Sequence, residues 1–127
     1  MPEAPYDSLG GDAAVRRLVE RFYDLMDSVP EYYVIRKLHP ADLAGSREKL
    51  YLFMSGWLGG PPLYVEKYGH PMLRARHLPF AIGLAERDAW LACMKQAMQD
   101  CAIEAGMRMG LLDSLFKTAD WMRNKEG

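Results

Sequence analysis

The strongest constraint on the fold of this chain is a segment rich in glycine and proline that lies between two parts with helical periodicity. It begins at Gly59-Gly-Pro-Pro62 and extends to Ile82, with Pro71 and Pro79 on either side of one or two helical turns at residues 73–77. Clusters of glycine and proline interrupt regular secondary structure. We therefore predict helices before and after an irregular middle, which is the candidate location of a functional site because loops on a rigid scaffold commonly carry function.

Apolar residues recur at helical spacing in four parts of the chain, and no part shows the alternation typical of a β-strand. The four patterns span residues 12–29, 43–57, 90–105 and 109–122. Asp12 is the predicted cap of the first pattern, and Gly106 is the predicted end of the third. The sequence indicates an all-α fold in which two C-terminal helices pack on two N-terminal helices.

Length and composition limit what such a fold can bind. The 127 residues suffice for one domain with a sizeable core, spanning residues 1–127, and the formal charge of −1 argues against nucleic-acid binding. The N-terminus carries an acid where a signal peptide carries basic residues, and no apolar run is long enough to cross a membrane. We expect a cytoplasmic protein with neither nucleic-acid nor membrane partners.

The two cysteines, Cys93 and Cys101, lie eight residues apart in the third helical pattern. A straight helix separates such residues by about 12 Å, which is too far for a disulfide. We expect both to act as small buried apolar side chains rather than as a disulfide or a thiolate metal site.

His77 is the residue of the irregular segment that most suggests chemistry, because Arg74 and Arg76 lie immediately before it. Neutral imidazole is the commonest metal-binding side chain, and guanidinium is the preferred partner of carboxylates. A cofactor with a metal at its centre and carboxylates at its rim is haem. The two arginines alternate along one turn, so we expect only one of them to face those carboxylates.

Two other interpretations of His77 stay open. It is either an ordinary loop histidine beside solvent-exposed arginines, or a ligand of a non-haem metal site with His70 and Glu66, although Pro71 disrupts a shared helical face. The sequence lacks metalloprotease, nucleophile-elbow, phosphate-loop and paired-cysteine zinc motifs.

The second face of a haem needs hydrogen-bond donors that stabilise a polarised diatomic ligand. The candidates are Tyr23 on the first predicted helix, His39 at a corner before a proline, and Trp90 at the start of the third pattern. Each also has an ordinary interpretation, the tyrosine and tryptophan as core residues and the histidine as an exposed turn residue.

One face of the second predicted helix carries Ser46, Leu50 and Phe53 at positions i, i+4 and i+7. This face either covers the cofactor or packs in the core. The two arrangements look the same in sequence.

Seven motifs extend from about Tyr6 into the last predicted helix and are densest over residues 46–98. They are Leu9-Gly-Gly11, Phe22-Tyr23, His39-Pro-Ala-Asp42, Leu58-Gly-Gly-Pro61, Tyr68-Gly-His-Pro71, Arg74-Ala-Arg-His-Leu-Pro-Phe80 and Glu86-Arg-Asp-Ala-Trp90. Together they resemble the group II truncated haemoglobins. The resemblance implies a truncated globin, a two-over-two helical sandwich around haem b, in which the segment before the proximal histidine is mostly an extended loop.

The resemblance also implies roles for individual residues. His77 matches the proximal iron ligand, and Tyr23 and Trp90 match donors on the distal side, the tryptophan being the hallmark of the group. The implied contacts with the cofactor are Phe22, Ser46, Lys49, Leu50, Phe53, Tyr64, Leu73, Arg76, His77, Phe80, Ile82 and Trp90.

At the rim, Lys49 and Arg76 match positions that commonly pair with the haem propionates, and Tyr64 matches one that can join them. Two positions differ from common patterns. His39 occupies a place that is more usually tyrosine or phenylalanine in the family. Ser46 stands where vertebrate-type globins have a histidine, so the resemblance implies no distal-helix histidine gate.

Two or three donors around one ligand predict slow release. A hydrogen bond to a charged group contributes about 1.5–3 kcal/mol, and about 1.4 kcal/mol corresponds to a factor of ten. A protein that releases oxygen so slowly is a poor carrier. Our first hypothesis is therefore redox chemistry on oxygen, peroxide or nitric oxide, with an unidentified reductase as partner. It is peroxidase-like or nitric oxide dioxygenase-like, with Tyr23, His39 and Trp90 as the catalytic groups and His39 as the best-matched acid–base.

Two alternatives accompany this hypothesis. One is a module that binds or senses oxygen, nitric oxide or carbon monoxide without turnover. The other is a helical interaction domain without haem, which would lack the Soret absorption band.

Overall fold

The computed structural model describes residues 4–126, and all regular secondary structure in that range is helical. The helices are α1 (Pro5–Leu9), α2 (Asp12–Ser28), a 3₁₀ helix (Pro30–Tyr32), α3 (Tyr33–Arg36), α4 (Ala44–Trp57), α5 (Leu63–Tyr68), α6 (Leu73–His77), α7 (Leu84–Asp100) and α8 (Ala105–Trp121). The four long helices α2, α4, α7 and α8 match the four predicted patterns. No helix within residues 4–126 has the length and hydropathy needed to span a membrane.

The core lies where α2 packs against α4 and α7, while α7 also packs against α8. The buried face of α2 follows helical spacing and consists of Val15, Leu18, Val19, Phe22, Tyr23, Leu25 and Met26. The buried face of α7 consists of Cys93, Met94, Ala97 and Met98. Fully burying one large apolar side chain contributes about 1.5–3 kcal/mol, so the contact between α2 and α7 is a major source of stability. An N-terminal pair of helices thus meets a C-terminal pair.

Asp12 differs from its predicted role, because it is the first residue of α2 and Gly11 occupies the capping position. The Asp12 carboxylate instead accepts a hydrogen bond from the Tyr51 hydroxyl on α4. This bond, together with burial, raises the pKa of Tyr51. The acid therefore connects α2 to α4 instead of closing the turn before α2.

The predicted end of the third helix at Gly106 is wrong. Helix α7 ends at Asp100, Ala102 adopts a left-handed conformation with φ of 59°, and Gly106 lies in the first turn of α8. The Glu104 carboxylate caps α8 by accepting from the backbone N–H groups of Gly106 and Met107 at 2.8 and 2.9 Å, which lowers the pKa of Glu104. A glutamate at a cap is uncommon, so the sequence pattern did not reveal this boundary.

Both cysteines are free. Cys93 is fully buried, as predicted, and its thiol donates to the Phe22 carbonyl at 3.3 Å. Burial raises the pKa of Cys93 to about 12. Cys101 follows the end of α7 and is only partly buried, which corrects the expectation that both would be core residues.

The middle segment contains one helix more than predicted. Helix α6 lies where the sequence placed a helical turn, whereas the segment of α5 was expected to be irregular. Before α5 the Ser55 hydroxyl donates to the Pro61 carbonyl at 2.8 Å. A Cβ atom at Gly60 would overlap the ring of Tyr6, so only glycine allows α1 to lie against this turn.

Candidate haem site

Three aromatic side chains from α2 and α7 form a compact group at one wall of the site, which we call the distal wall (Phe22, Tyr23 and Trp90). The Phe22 ring centroid lies 5.1 Å from that of Tyr23 and 5.2 Å from that of Trp90. Such distances are typical of favourable edge contacts between rings. Phe22 is fully buried and Tyr23 is 5% exposed. The core therefore fixes the position of two of the three predicted distal residues.

The polar atoms of the distal wall are available to a ligand. Within residues 4–126 neither the Tyr23 hydroxyl nor the Trp90 indole N–H has a hydrogen-bond partner, and no fully buried side-chain polar atom in that range lacks one. The two groups therefore face open space. Burial raises the pKa of Tyr23, opposed by the charge of Arg47. The tyrosine consequently stays a phenol and a donor at any ordinary pH.

His39 lies beside the distal wall, as the third predicted distal residue. Its ring centroid is 5.8 Å from that of Tyr23 in an edge-on arrangement, and its Nδ1 lies 2.7 Å from the Ile35 carbonyl oxygen. A carbonyl only accepts, so Nδ1 carries the proton and the neutral ring presents the lone pair of Nε2. The half-buried His39 is thus not the exposed turn residue of the ordinary interpretation.

Several groups change the pKa of His39. Burial lowers the pKa, the hydrogen bond to the Ile35 carbonyl opposes that change, and the charges of Arg36 and His77 lower the pKa further. The electrostatic effect of His77 is the smallest of these.

The predicted face of α4 is only partly covered. Ser46, Leu50 and Phe53 are all half-buried, whereas Lys49 is exposed. The Phe53 ring lies 6.5 Å from the buried ring of Tyr64 on α5. Helix α4 thus presents a partly covered apolar face instead of a fully packed one.

Arg47 belongs to the site although the sequence reasoning missed it. Its guanidinium on α4 donates to the carboxylates of Glu20 at 3.0 Å and Asp24 at 2.9 Å, both on α2, and lies 5.8 Å from the Tyr23 ring centroid. Desolvation and its two acidic partners act in opposite directions, with a net rise in the pKa of Arg47. The sequence signal for this contact was the spacing of Glu20 and Asp24, which lie four residues apart and so share one face of α2.

His77 ends α6 on the other side of the site. Its Nδ1 lies 2.6 Å from the Leu73 carbonyl oxygen one turn earlier. This bond places the proton on Nδ1 and leaves Nε2 free to bind a metal, which is the usual arrangement for a metal-binding histidine. Leu73 is half-buried, Phe80 is 42% exposed and Ile82 is buried.

The two arginines of α6 have different partners. The Arg74 guanidinium donates to two carbonyls at the C-terminal end of α8, that of Trp121 and, at 3.1 Å, that of Arg123. It also lies 5.3 Å from the centroid of the Trp121 ring. Arg76 is exposed, and its Nε donates to the Pro71 carbonyl at 2.9 Å. Arg76 is therefore the arginine that has no bond to the C-terminal segment.

The residues present fit a haem better than a lone metal ion. Among the described residues no three His, Cys, Asp or Glu side chains lie close enough to hold a metal. The proposed non-haem site of His70, His77 and Glu66 is therefore not formed, and His70 instead accepts from the Met72 N–H at 3.0 Å. A single available imidazole, partly exposed apolar groups, two free donors and exposed cations fit what a haem requires.

The sequence matches known proteins over nearly its whole length. Residues 4–124 match the model of the bacterial-like globins, and the chain belongs to that family. The group 2 truncated hemoglobin YjbI of Bacillus subtilis (strain 168) is 43% identical over 122 residues, which cover 96% of this chain and 89% of that protein. Haem is the cofactor of this family, and family membership sets aside the hypothesis of a haem-free interaction domain.

Two solved structures share the fold. The group II 2-on-2 hemoglobin from Agrobacterium tumefaciens is 49% identical with a TM-score of 0.94, covering 98% of this chain and 97% of that one. The truncated oxygen-avid haemoglobin from Bacillus subtilis is 43% identical with a TM-score of 0.88, covering 96% and 100%. The predicted two-over-two truncated globin fold is confirmed, and its haem-based binding of small diatomic ligands follows from the family.

Proposed function

We propose that this chain binds haem b through His77 and performs redox chemistry on oxygen, nitric oxide or peroxide instead of transporting oxygen. The observation that supports the proposal most is the pair of free donors on the distal wall, Tyr23 and Trp90, beside the imidazole of His39. When bound, haem supplies an iron centre that takes up a small ligand and exchanges electrons with it.

The distal residues hold the ligand. The Tyr23 hydroxyl and the Trp90 indole N–H donate to it from two directions, and the rigid packing of Phe22 between their rings keeps both in place. Each donor to a charged acceptor contributes about 1.5–3 kcal/mol. Two such bonds slow ligand release by about a hundredfold to ten-thousandfold. The similar protein from Bacillus subtilis is described as oxygen-avid.

His39 moves a proton in this proposal. With Nδ1 donating to the Ile35 carbonyl, only Nε2 changes its protonation state. The neutral ring would accept a proton at Nε2 from water or hydrogen peroxide, and the cationic ring would donate that proton back to an oxygen atom of the substrate. A phenylalanine at this position has no such capacity.

The remaining site residues bind and orient the cofactor. In this proposal Lys49, Arg76 and Tyr64 pair with the propionates, and the two cations are exposed to solvent. The apolar contacts are supplied by Leu50, Phe53, Leu73, Phe80 and Ile82, whereas the predicted contact Phe22 is fully buried and acts only by packing against Tyr23 and Trp90. Ser46 contributes a small side chain that leaves room for a ligand.

A stopped-flow experiment tests the proposal. The protein is reconstituted with haem, reduced, oxygenated and mixed with nitric oxide, and separately supplied with peroxide and a reductant. We expect stoichiometric nitrate or repeated peroxide turnover, above the rates of free haem mixed with His77→Gly protein. A Soret band with tight oxygen binding but no reaction above this control favours the ligand-binding or sensing module.

A further inference from the structure

The segment that carries His77 has little packing of its own. Helix α6 has five residues, none of them buried. Leu78 and Phe80, which follow it, are 56% and 42% exposed. In the chain without cofactor, apolar burial therefore does not fix the position of this segment, and its hydrogen bonds do so.

Those hydrogen bonds lead to one place. Among the described residues, every hydrogen bond between residues 70–82 and the rest of the chain involves residues 121–125. We call residues 121–125 the C-terminal strap. The strap begins at the last residue of α8, so a distant part of the chain holds the segment of His77.

Asn124 makes most of these bonds. Its side-chain amide nitrogen lies 2.7 Å from the Phe80 carbonyl and 3.4 Å from the His77 carbonyl, and its side-chain oxygen accepts from the Ile82 N–H at 3.0 Å. The backbone N–H groups of Asn124 and Lys125 both donate to the Ile82 carbonyl, at 2.8 and 3.1 Å. One amide side chain therefore bonds to three residues that span the loop after α6.

Arg74 holds the other end of α6. Its guanidinium donates to the carbonyls of Trp121 and Arg123 and covers the Trp121 ring. Carbonyls at the end of a helix lack partners within the helix and carry partial negative charge, so a guanidinium there is favourable. The strap thus holds α6 near its first turn and also beyond its last residue.

We propose that Asn124, assisted by Arg74, is a positioning residue for His77. The Leu73 carbonyl fixes the rotation of the imidazole from within α6, whereas the strap fixes where α6 as a whole lies. The role rests on the proposed function of His77 as the iron ligand. The hydrogen bonds between the strap and the segment of α6 are present in the chain without cofactor, so their effect can be measured separately.

Amide hydrogen exchange by NMR on the cofactor-free protein tests the holding directly. Asn124→Ala removes all three side-chain interactions, and Asn124→Asp keeps the acceptor for the Ile82 N–H but loses the donor to the Phe80 and His77 carbonyls. We expect exchange of the Ile82 amide to be about three- to tenfold faster in Asn124→Ala, the range for one or two lost hydrogen bonds, and near wild type in Asn124→Asp. The control is Lys125→Ala, whose side chain is exposed.

The haem-loaded protein provides the second measurement. In both Asn124 variants we expect haem to transfer to an excess of a haem-scavenging globin several-fold faster, and the ferrous histidine–iron stretching band to shift or broaden. Core amides of α2 and α7 should not change. If Asn124→Ala does not fold, the haem measurements are decided by comparing Asn124→Asp with Lys125→Ala.

The outcomes are distinguishable. The positioning role would be overturned if the Asn124 variants and Lys125→Ala had the same exchange rate, the same rate of haem transfer and the same stretching band. Faster exchange with an unchanged band and unchanged haem transfer would overturn it too, because the strap would then be structural only. If His77→Gly keeps the histidine–iron band, the assignment of His77 fails while the exchange result for the strap stands.

Discussion

The two sides of the candidate site are built by different means. The distal wall consists of side chains from two long helices, with Phe22 fully buried and ring centroids about 5 Å apart. On the proximal side helix α6 has no buried residue, and the segment that carries it depends on hydrogen bonds to the C-terminal strap. Apolar burial in the core therefore fixes the distal donors, whereas a few polar contacts fix the proximal histidine.

The difference has a consequence for dynamics. Opening the distal wall requires separating α2 from α7, which disrupts the core. Releasing α6 requires breaking a small number of hydrogen bonds, each contributing about 0.5–1.5 kcal/mol. We therefore expect the distal geometry to exist before the cofactor binds and the proximal geometry to tighten when it binds.

The largest effect is expected from His77→Gly. The variant lacks the only imidazole of α6, so the ferrous histidine–iron stretching band should disappear from the resonance Raman spectrum, and added imidazole should partly restore it. His70→Gly is the matched control, because this exposed histidine bonds only to the Met72 N–H among the described residues. An unchanged band in His77→Gly would show that the proximal ligand lies elsewhere.

The next effect concerns the distal donors. Tyr23→Phe and Trp90→Phe should each accelerate oxygen release about ten- to a hundredfold, the factor for one hydrogen bond to a charged acceptor. The double variant should show coupling because both groups address one small ligand. Stopped-flow release rates provide the measurement.

A second tyrosine supplies the control for that experiment. Tyr32 is also buried, but its hydroxyl bonds to the Gln96 side-chain oxygen at 2.7 Å. Tyr32→Phe should therefore leave the release rate unchanged. Unaltered rates in both Tyr23→Phe and Trp90→Phe would return these residues to an ordinary packing role.

The helices of the distal side were easier to predict from the sequence than the contacts of the proximal segment, and the same physical difference explains why. Periodicity reveals a helix that buries a continuous face, so α2 and α7 and their aromatic residues were recognisable. Arg74 and Arg76 are equivalent in sequence, and only the position of the end of α8 distinguishes them. Asn124 acts on residues more than forty positions earlier in the chain, a separation at which no local pattern exists.

The turn at Gly60 marks where the packed side ends and the proximal segment begins. Gly60→Ala should lower the free energy of unfolding by about 1–3 kcal/mol, because the new Cβ overlaps the Tyr6 ring. Gly45→Ala is the matched control on α4, where nothing lies within 4 Å of the added Cβ. There alanine should stabilise by up to about 1 kcal/mol. Urea unfolding measures both, and equal effects would mean that Tyr6 moves aside freely.

The smallest expected effect is a pH dependence from His39. The neutral ring offers only a lone pair at Nε2, because Nδ1 is bonded to the Ile35 carbonyl. Protonation adds an Nε2–H donor, which strengthens the hold on a negatively polarised ligand, so release should slow as the pH falls. Burial and the charge of Arg36 lower the pKa of His39. The transition should therefore lie below the ordinary histidine value of about 6.5.

Measuring oxygen release from neutral to acidic pH in wild type and His39→Phe tests this expectation. One added hydrogen bond predicts a change of about three- to tenfold in wild type, and a flat profile in the variant. Arg36 needs its own control, since its guanidinium pairs with Asp27 at 2.8 Å and lowers the pKa of His39. Arg36→Gln should move the transition to higher pH without abolishing it. Identical profiles in wild type and His39→Phe would mean that the imidazole, although beside Tyr23, does not reach the ligand, and the distal wall would then consist of two donors from the core alone.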